Sequence, residues 1–160
     1  YPIKPPLYAI TKATNYLPNV LMQMEAKEAG FDNGVFIDES GFVGESSNMN
    51  VAFVMNDGVL RHPRFERVLP GCTSLRLLEL ARGLVGRGVI TGVDVSDIPV
   101  ADARAAREMV LLGSSVKVAP IVEWDGRPIG DGKPGPAARA LLELIEEDMR
   151  TGDRLIDVPY

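Results

Sequence analysis

Two short β-prone pairs, each folded about a glycine turn, sit between amphipathic helical stretches, and this interleaving constrains the fold more than any other feature of the chain. Gly34 to Asp38 and Phe42 to Gly44 flank Glu39-Ser40-Gly41. Asn50 to Met55 and Val59 to Arg61 flank Asn56-Asp57-Gly58, whose Asp-Gly step is a strong tight-turn signal. A doubly wound parallel sheet needs strict strand–helix alternation. That is absent here, so the chain reads as a mixed α/β (α+β) domain.

The remaining elements follow from periodicity and punctuation. Tyr8 to Lys12 reads as a short strand. Pro18 suits the first position of a helix that runs from Asn19 to Ala29 and closes at Gly30. Thr73 is placed to cap a helix whose Leu77, Leu78, Ala81, Leu84 and Val85 recur three and four apart. Val93 to Ile98 is a strand, Val100 to Arg107 a short helix, Glu108 to Leu112 a strand, and Val116 to Trp124 a strand turned by Asp125-Gly126. Pro136 opens the last helix, with Ala138, Leu141, Leu142, Ile145 and Met149 on one face and Glu143, Glu146, Glu147 and Asp148 on the wet face.

A chain of 160 residues can bury one real core. Its 17 basic and 22 acidic residues give a net charge of −5 with no Lys/Arg run, which argues against a nucleic-acid groove. Nothing approaches the ~18 consecutive apolar residues of a membrane span. A single cysteine, Cys72, leaves no internal disulfide and fits a reducing or stromal compartment. With His62 as the only histidine there is no zinc arrangement, and His62 itself reads as structural or exposed. Met22, Met24 and Met49 read as core or gap filling. The opening Tyr1-Pro2-Ile3-Lys4-Pro5-Pro6 lacks an initiator methionine and is rich in proline. It predicts an extended interdomain linker over 1–8, ahead of a domain over 9–160, within a longer protein.

Two segments suit an anion. In Gly71-Cys72-Thr73, a glycine lets backbone approach a ligand, a helix N-terminus supplies unpaired N–H groups, and Thr73 adds a hydroxyl. Gly113-Ser114-Ser115 offers two hydroxyls at a strand end. Taken singly, each is more often a plain turn or cap. Lys12 and Glu45, singly, are ordinary surface charges.

Together they read differently. Thr11-Lys12-Ala13-Thr14-Asn15-Tyr16-Leu17-Pro18-Asn19 resembles the lysine segment of fold-type IV pyridoxal-phosphate enzymes. That family holds D-amino acid aminotransferases, branched-chain aminotransferases and aminodeoxychorismate lyases. Val43-Gly44-Glu45-Ser46-Ser47-Asn48-Met49-Asn50-Val51-Ala52-Phe53 is similar to its glutamate segment. Val68-Leu69-Pro70-Gly71-Cys72-Thr73 and Leu112-Gly113-Ser114-Ser115 resemble its two phosphate-gripping turns, and Asp131-Gly132-Lys133-Pro134-Gly135-Pro136 resembles the lead into its last helix. The resemblance runs from Lys12 to Met149, and its wording is nearest to plant members described as D-amino acid aminotransferase or aminodeoxychorismate lyase.

The resemblance implies the cofactor-binding large domain of such an enzyme, with a barrel-like sheet of hairpins and strands flanked by helices, and a small N-terminal domain lying outside this chain. It implies pyridoxal 5'-phosphate as cofactor, with Lys12 as the catalytic Schiff-base lysine. Glu45 would pair with the pyridine nitrogen, Tyr16 would bond the ring's phenolic oxygen, and Leu69 would pack on the ring. Gly71, Cys72, Thr73, Gly113 and Ser114 would hold the phosphate, Asn50 would neighbour the cofactor, and Ser115 would meet the substrate carboxylate. The implied activity is amino transfer from D-amino acids such as D-alanine. Aminodeoxychorismate lysis in folate biosynthesis, branched-chain transamination and an inactive cofactor-domain fragment stand as alternatives. A homodimer, amino-acid and keto-acid substrates, and a plastid or otherwise cytoplasmic setting are also implied, with no nucleic acid, membrane or metal. Three positions depart from the family pattern. Ser46 follows the glutamate where glycine is frequent, Cys72 stands for a frequent isoleucine, and Ser74 stands where many relatives place arginine after the threonine.

Overall fold

The computed structural model describes residues 4–159. Tyr1, Pro2 and Ile3 of the expected linker, and Tyr160 of the expected domain, lie outside the described residues. The elements run α1 (Pro6–Ala9), α2 (Leu17–Glu28), β1 (Val35–Ile37), β2 (Val43–Ser46), β3 (Asn50–Val54), β4 (Val59–His62), α3 (Cys72–Leu80), α4 (Arg82–Gly86), β5 (Gly92–Val95), α5 (Val100–Arg104), β6 (Glu108–Gly113), β7 (Lys117–Ile121), β8 (Glu123–Trp124), β9 (Arg127–Pro128) and α6 (Pro136–Thr151).

The central sheet has five strands in the order β5-β4-β3-β6-β7. Only β4 and β5 are parallel; β3 pairs antiparallel with both β4 and β6, and β6 with β7. The mixed α/β reading holds, but the sheet stays open and does not form the barrel-like closure expected from the resemblance. Two-stranded ladders, β1-β2 and β8-β9, lie outside it.

Side chains alternate along β3 and β6 to feed two cores. Ala52, Val54, Val110 and Leu112 face Leu77, Leu84, Leu141 and Ile145 from the helices. Val51, Phe53, Met109 and Leu111 face Val43, Ile98, Ala103 and Ile129 on the other side. Being covered on both faces explains why β3 is apolar over nearly its whole length rather than alternating with polar residues. Each fully buried leucine, such as Leu77, Leu84 or Leu141, contributes roughly 1.5–3 kcal/mol of transfer free energy. A buried carboxylate fastens the last helix to this sheet. Glu108 accepts the Ala137 and Ala138 N–H groups at 3.0 and 2.8 Å, satisfying donors that the first turn of α6 leaves open.

Several expectations are corrected. Tyr8 to Lys12 is not a strand, and residues 4–8 are not wholly extended, because α1 occupies Pro6–Ala9. Pro5 and Pro6 fall at the N-cap and first helical position, where proline's missing N–H costs nothing. Thr73 does not cap α3: the N-cap is Gly71, without a side-chain cap, and Thr73 lies inside the first turn. The helix predicted through Val85 breaks at Ala81 into α3 and α4, which leaves Val85 exposed. Met149 and Met24 are exposed, not core. The acidic face of α6 is partly paired: Glu146 accepts from Lys117 at 2.7 Å and Asp148 from Arg76 Nε at 2.9 Å. Lys117 and Arg76 hold these two carboxyls below the usual carboxylate range. His62 is fully buried and stacks on Phe65, with ring centroids 4.4 Å apart.

Candidate active site

The hairpin turns and helix ends of this fold converge on one cavity of about 310 Å³. Its border includes Lys12, Tyr16, Glu45, Asn50, Leu69, Gly71, Cys72, Thr73, Gly113 and Ser114, residues spread over more than a hundred positions of sequence. Ser115, the expected substrate residue, is not among the lining residues. A second cavity, about 280 Å³, lies elsewhere, bordered by Met22, Phe31, Ile37, Met109 and Trp124 among others, and has no lysine on its border.

Lys12 and Tyr16 come from the segment just before α2, and their four-residue spacing lets them meet. The Lys12 ammonium donates to Tyr16 Oη at 2.6 Å, and Nζ lies 4.9 Å from the Tyr16 ring centre. Lys4 Nζ lies 5.5 Å from the same ring.

Glu45 is the third residue of β2, and all four residues of that strand are buried. Burial raises its carboxyl above the ordinary value. The Leu69 N–H donating to Oε2 at 3.0 Å works against that rise, as do the nearby Lys4 and, more weakly, Lys12. Lys4 Nζ sits 3.6 Å from Glu45 Oε1, with both side chains under a tenth exposed. At that length the contact is a Coulombic pair rather than a hydrogen bond.

Leu69 is held at both ends, since Asn50 Nδ2 donates to its carbonyl at 2.8 Å. The chain then turns through Gly71 into α3, whose first residues, Cys72 and Thr73, border the cavity together with Gly113 and Ser114; a helix N-terminus carries unpaired N–H groups and a partial positive charge. Gly71 is required by contact: a Cβ there would lie 2.3 Å from Asn50 Oδ1.

The structure adds residues that motif reasoning did not single out. Asn19, Ser47, Asn48, Met49, Pro70 and Leu112 also border the cavity. Asn19 is 3% exposed and donates Nδ2 to the Ser47 carbonyl, and its Oδ1 is buried with no hydrogen-bond partner among the described residues. Its place directly after the helix-opening Pro18, in the same segment as Lys12, is the only sequence signal that marks Asn19.

No helix among the described residues is long and apolar enough to cross a membrane. No group of three or more His, Cys, Asp or Glu among them could hold a metal ion.

Comparison with known proteins places this arrangement. The family model for amino-transferase class IV matches residues 4–124. The chloroplastic D-amino-acid transaminase of Arabidopsis thaliana is 50% identical over 162 residues, covering 99% of this chain and 43% of that protein. A putative branched-chain-amino-acid aminotransferase of Methanocaldococcus jannaschii is 32% identical over 143 residues, covering 88% of this chain and 46% of that protein. Among solved structures, the branched-chain amino acid aminotransferase of Thermobaculum terrenum in its PLP-form superposes with a TM-score of 0.81 at 28% identity, covering 94% of this chain and 47% of that one. The chain thus spans less than half the length of these relatives. On the family match and on its fold, this chain belongs to the class IV aminotransferase family.

Proposed function

We propose that this chain is the cofactor-holding part of a pyridoxal-5'-phosphate-dependent aminotransferase whose amino donors are D-amino acids such as D-alanine. The observation that carries the reading is the convergence of a lysine amine, a buried carboxylate and a helix N-terminus on one cavity. The 50% identity to a D-amino-acid transaminase supports the choice of substrate.

The residues present fit the group. Gly71 leaves room beside Asn50 that a side chain would fill, and the N–H groups of α3 with the hydroxyls of Thr73 and Ser114 match a phosphate. Burial works against a charge on Glu45, but the Leu69 N–H and the nearby Lys4 and Lys12 favour its carboxylate form, the form that would pair with a protonated pyridine nitrogen. When bound, pyridoxal phosphate withdraws electrons from the substrate's α-carbon. Lys12 would attach it covalently and move the substrate's Cα proton with Nζ. Tyr16 would hold both the Lys12 amine and the ring's phenolic oxygen, Leu69 would cover a ring face, and Gly71, Cys72, Thr73, Gly113 and Ser114 would hold the phosphate. Ser115, next along the chain, would meet the substrate carboxylate.

Branched-chain transamination is a second reading, favoured by the 32% identity to a putative branched-chain enzyme and the TM-score of 0.81 to a solved one. Aminodeoxychorismate lysis would use the same lysine and would connect the protein to folate biosynthesis. A homodimer is the proposed assembly, and a plastid the proposed compartment, on the strength of the chloroplastic relative. The test supplies the cofactor-loaded protein with a keto-acid acceptor and with D-alanine, L-leucine or aminodeoxychorismate, and follows release of each donor's own keto acid. Pyruvate formed from D-alanine at least about tenfold faster than keto acid from L-leucine is expected, a ratio within reach of one differentiating pocket contact. Keto acid from L-leucine alone would favour the branched-chain reading, and pyruvate from aminodeoxychorismate without a keto-acid acceptor would favour the lyase.

A further inference from the structure

We infer that Ser74, acting through Asn50, is a positioning residue for the phosphate-holding turn, so that affinity for the cofactor's phosphate depends on one buried hydroxyl. The inference rests on the pyridoxal-phosphate reading for its ligand, though not for its geometry.

Ser74 is fully buried in the first turn of α3, and its Oγ donates to Asn50 Oδ1 at 2.9 Å. Asn50, the first residue of β3 and 5% exposed, passes the restraint on by donating Nδ2 to the Leu69 carbonyl at 2.8 Å. The Leu69 N–H is already committed to Glu45. Residues 69–71 are therefore suspended between β2 and β3, and α3 is tied to the same asparagine that Gly71 packs against. Without the Ser74 hydroxyl, Asn50 Oδ1 would lose its donor in a buried setting, and the amide would be free to rotate away from Leu69. Cys72 and Thr73 lie between these anchors, so their N–H groups would lose their aim. At the ring end, Lys12 and Tyr16 have no bond to Ser74 and Glu45 is anchored in β2, so Leu69 alone is shared between the phosphate end and the ring end.

The test compares wild type with Ser74→Ala in two measurements. The first is the affinity for pyridoxal 5'-phosphate and for pyridoxal, which lacks the phosphate. Ser74→Ala is expected to weaken pyridoxal-phosphate binding by about tenfold, equivalent to one unmade buried hydrogen bond, and pyridoxal binding by less than about twofold. The second is amide hydrogen exchange, with no cofactor added, in which residues 69–73 should exchange faster in the variant while residues 51–54 of the core do not change. Equal losses for both ligands, no loss for either, unchanged exchange over 69–73, or failure of Ser74→Ala to fold would overturn the inference. Wild type that binds the two ligands equally would instead overturn the phosphate reading, while the exchange result would still decide the restraint.

Discussion

Lys12 and Tyr16 enter the cavity from a short segment and bond to each other across four residues, with the Lys12 side chain exposed. Glu45, Asn50 and Leu69 form a second wall of the same cavity, backed by Ser74; hydrogen bonds that span 19 to 24 residues join these four, and the three polar side chains among them are buried. The contrast teaches how such a site divides its labour. The amine must reach and move, and a local bond leaves it that freedom. The groups that set charge and aim must not move, and only the sheet core can hold them still. Damage to the first wall should therefore remove chemistry and spare the fold, whereas damage to the second should alter both.

Lys12→Ala tests the first wall and carries the largest expected effect. Turnover should fall by on the order of a thousandfold or more, as happens when a covalent nucleophile is removed. The thermal midpoint should hardly change. Borohydride reduction of the loaded wild type should fix pyridoxyl mass on the peptide containing Lys12. Label on Lys4, the other amine beside Tyr16 and Glu45, would reverse the assignment.

The sheet that carries the second wall should be sensitive to acid. Burial lowers the His62 pKa to about 4 from 6.5, against the opposing bond from Nδ1–H to the Pro63 carbonyl. The unfolded chain therefore takes up a proton near pH 6.5 that the folded chain refuses until about pH 4. Stability from this residue is complete above pH 6.5 and is lost as pH falls between those values, by about 3 kcal/mol at most. Urea midpoints measured from pH 7 to 4 should decline accordingly, and in His62→Gln the decline should be shallower. An equal slope in that variant would place the acid sensitivity elsewhere.

Glu45→Gln sharpens the comparison with the smallest of the three effects. The amide can still accept the Leu69 N–H, so the turn should stay in place, but the charge proposed to face the ring nitrogen is gone. Turnover should drop by about tenfold or more, since pairing with a buried cation is worth at least ~1.4 kcal/mol. A variant with wild-type turnover would reduce Glu45 to a structural acceptor for Leu69.

Local signals carried much of the fold. Asp57-Gly58 marked a hairpin, and Pro18 and Pro136 marked helix starts, because turn geometry and proline's fixed φ act within a few residues. The same proline rule misled at Pro5 and Pro6, where position within the first turn, not proline content, decides. Thr73 failed as a cap for a related reason: Gly71 already supplies the extended residue before the helix. The residues that meet at the cavity were named through family wording, and no periodicity would have joined Lys12 to Gly113. Ser74 and Asn19 escaped because their partners lie 24 and 28 residues away, and hydrogen bonds of that span leave no pattern in a single sequence.

Cys72 is the chain's sole thiol, is exposed, and stands at the first position of α3 on the border of the cavity. A maleimide dye or nitroxide would thus attach at one place without any engineered substitution, beside the turn where the phosphate is proposed to rest. Its rate of alkylation becomes a clock for occupancy, slowed by whatever fills the cavity and read without turnover or an absorbing substrate.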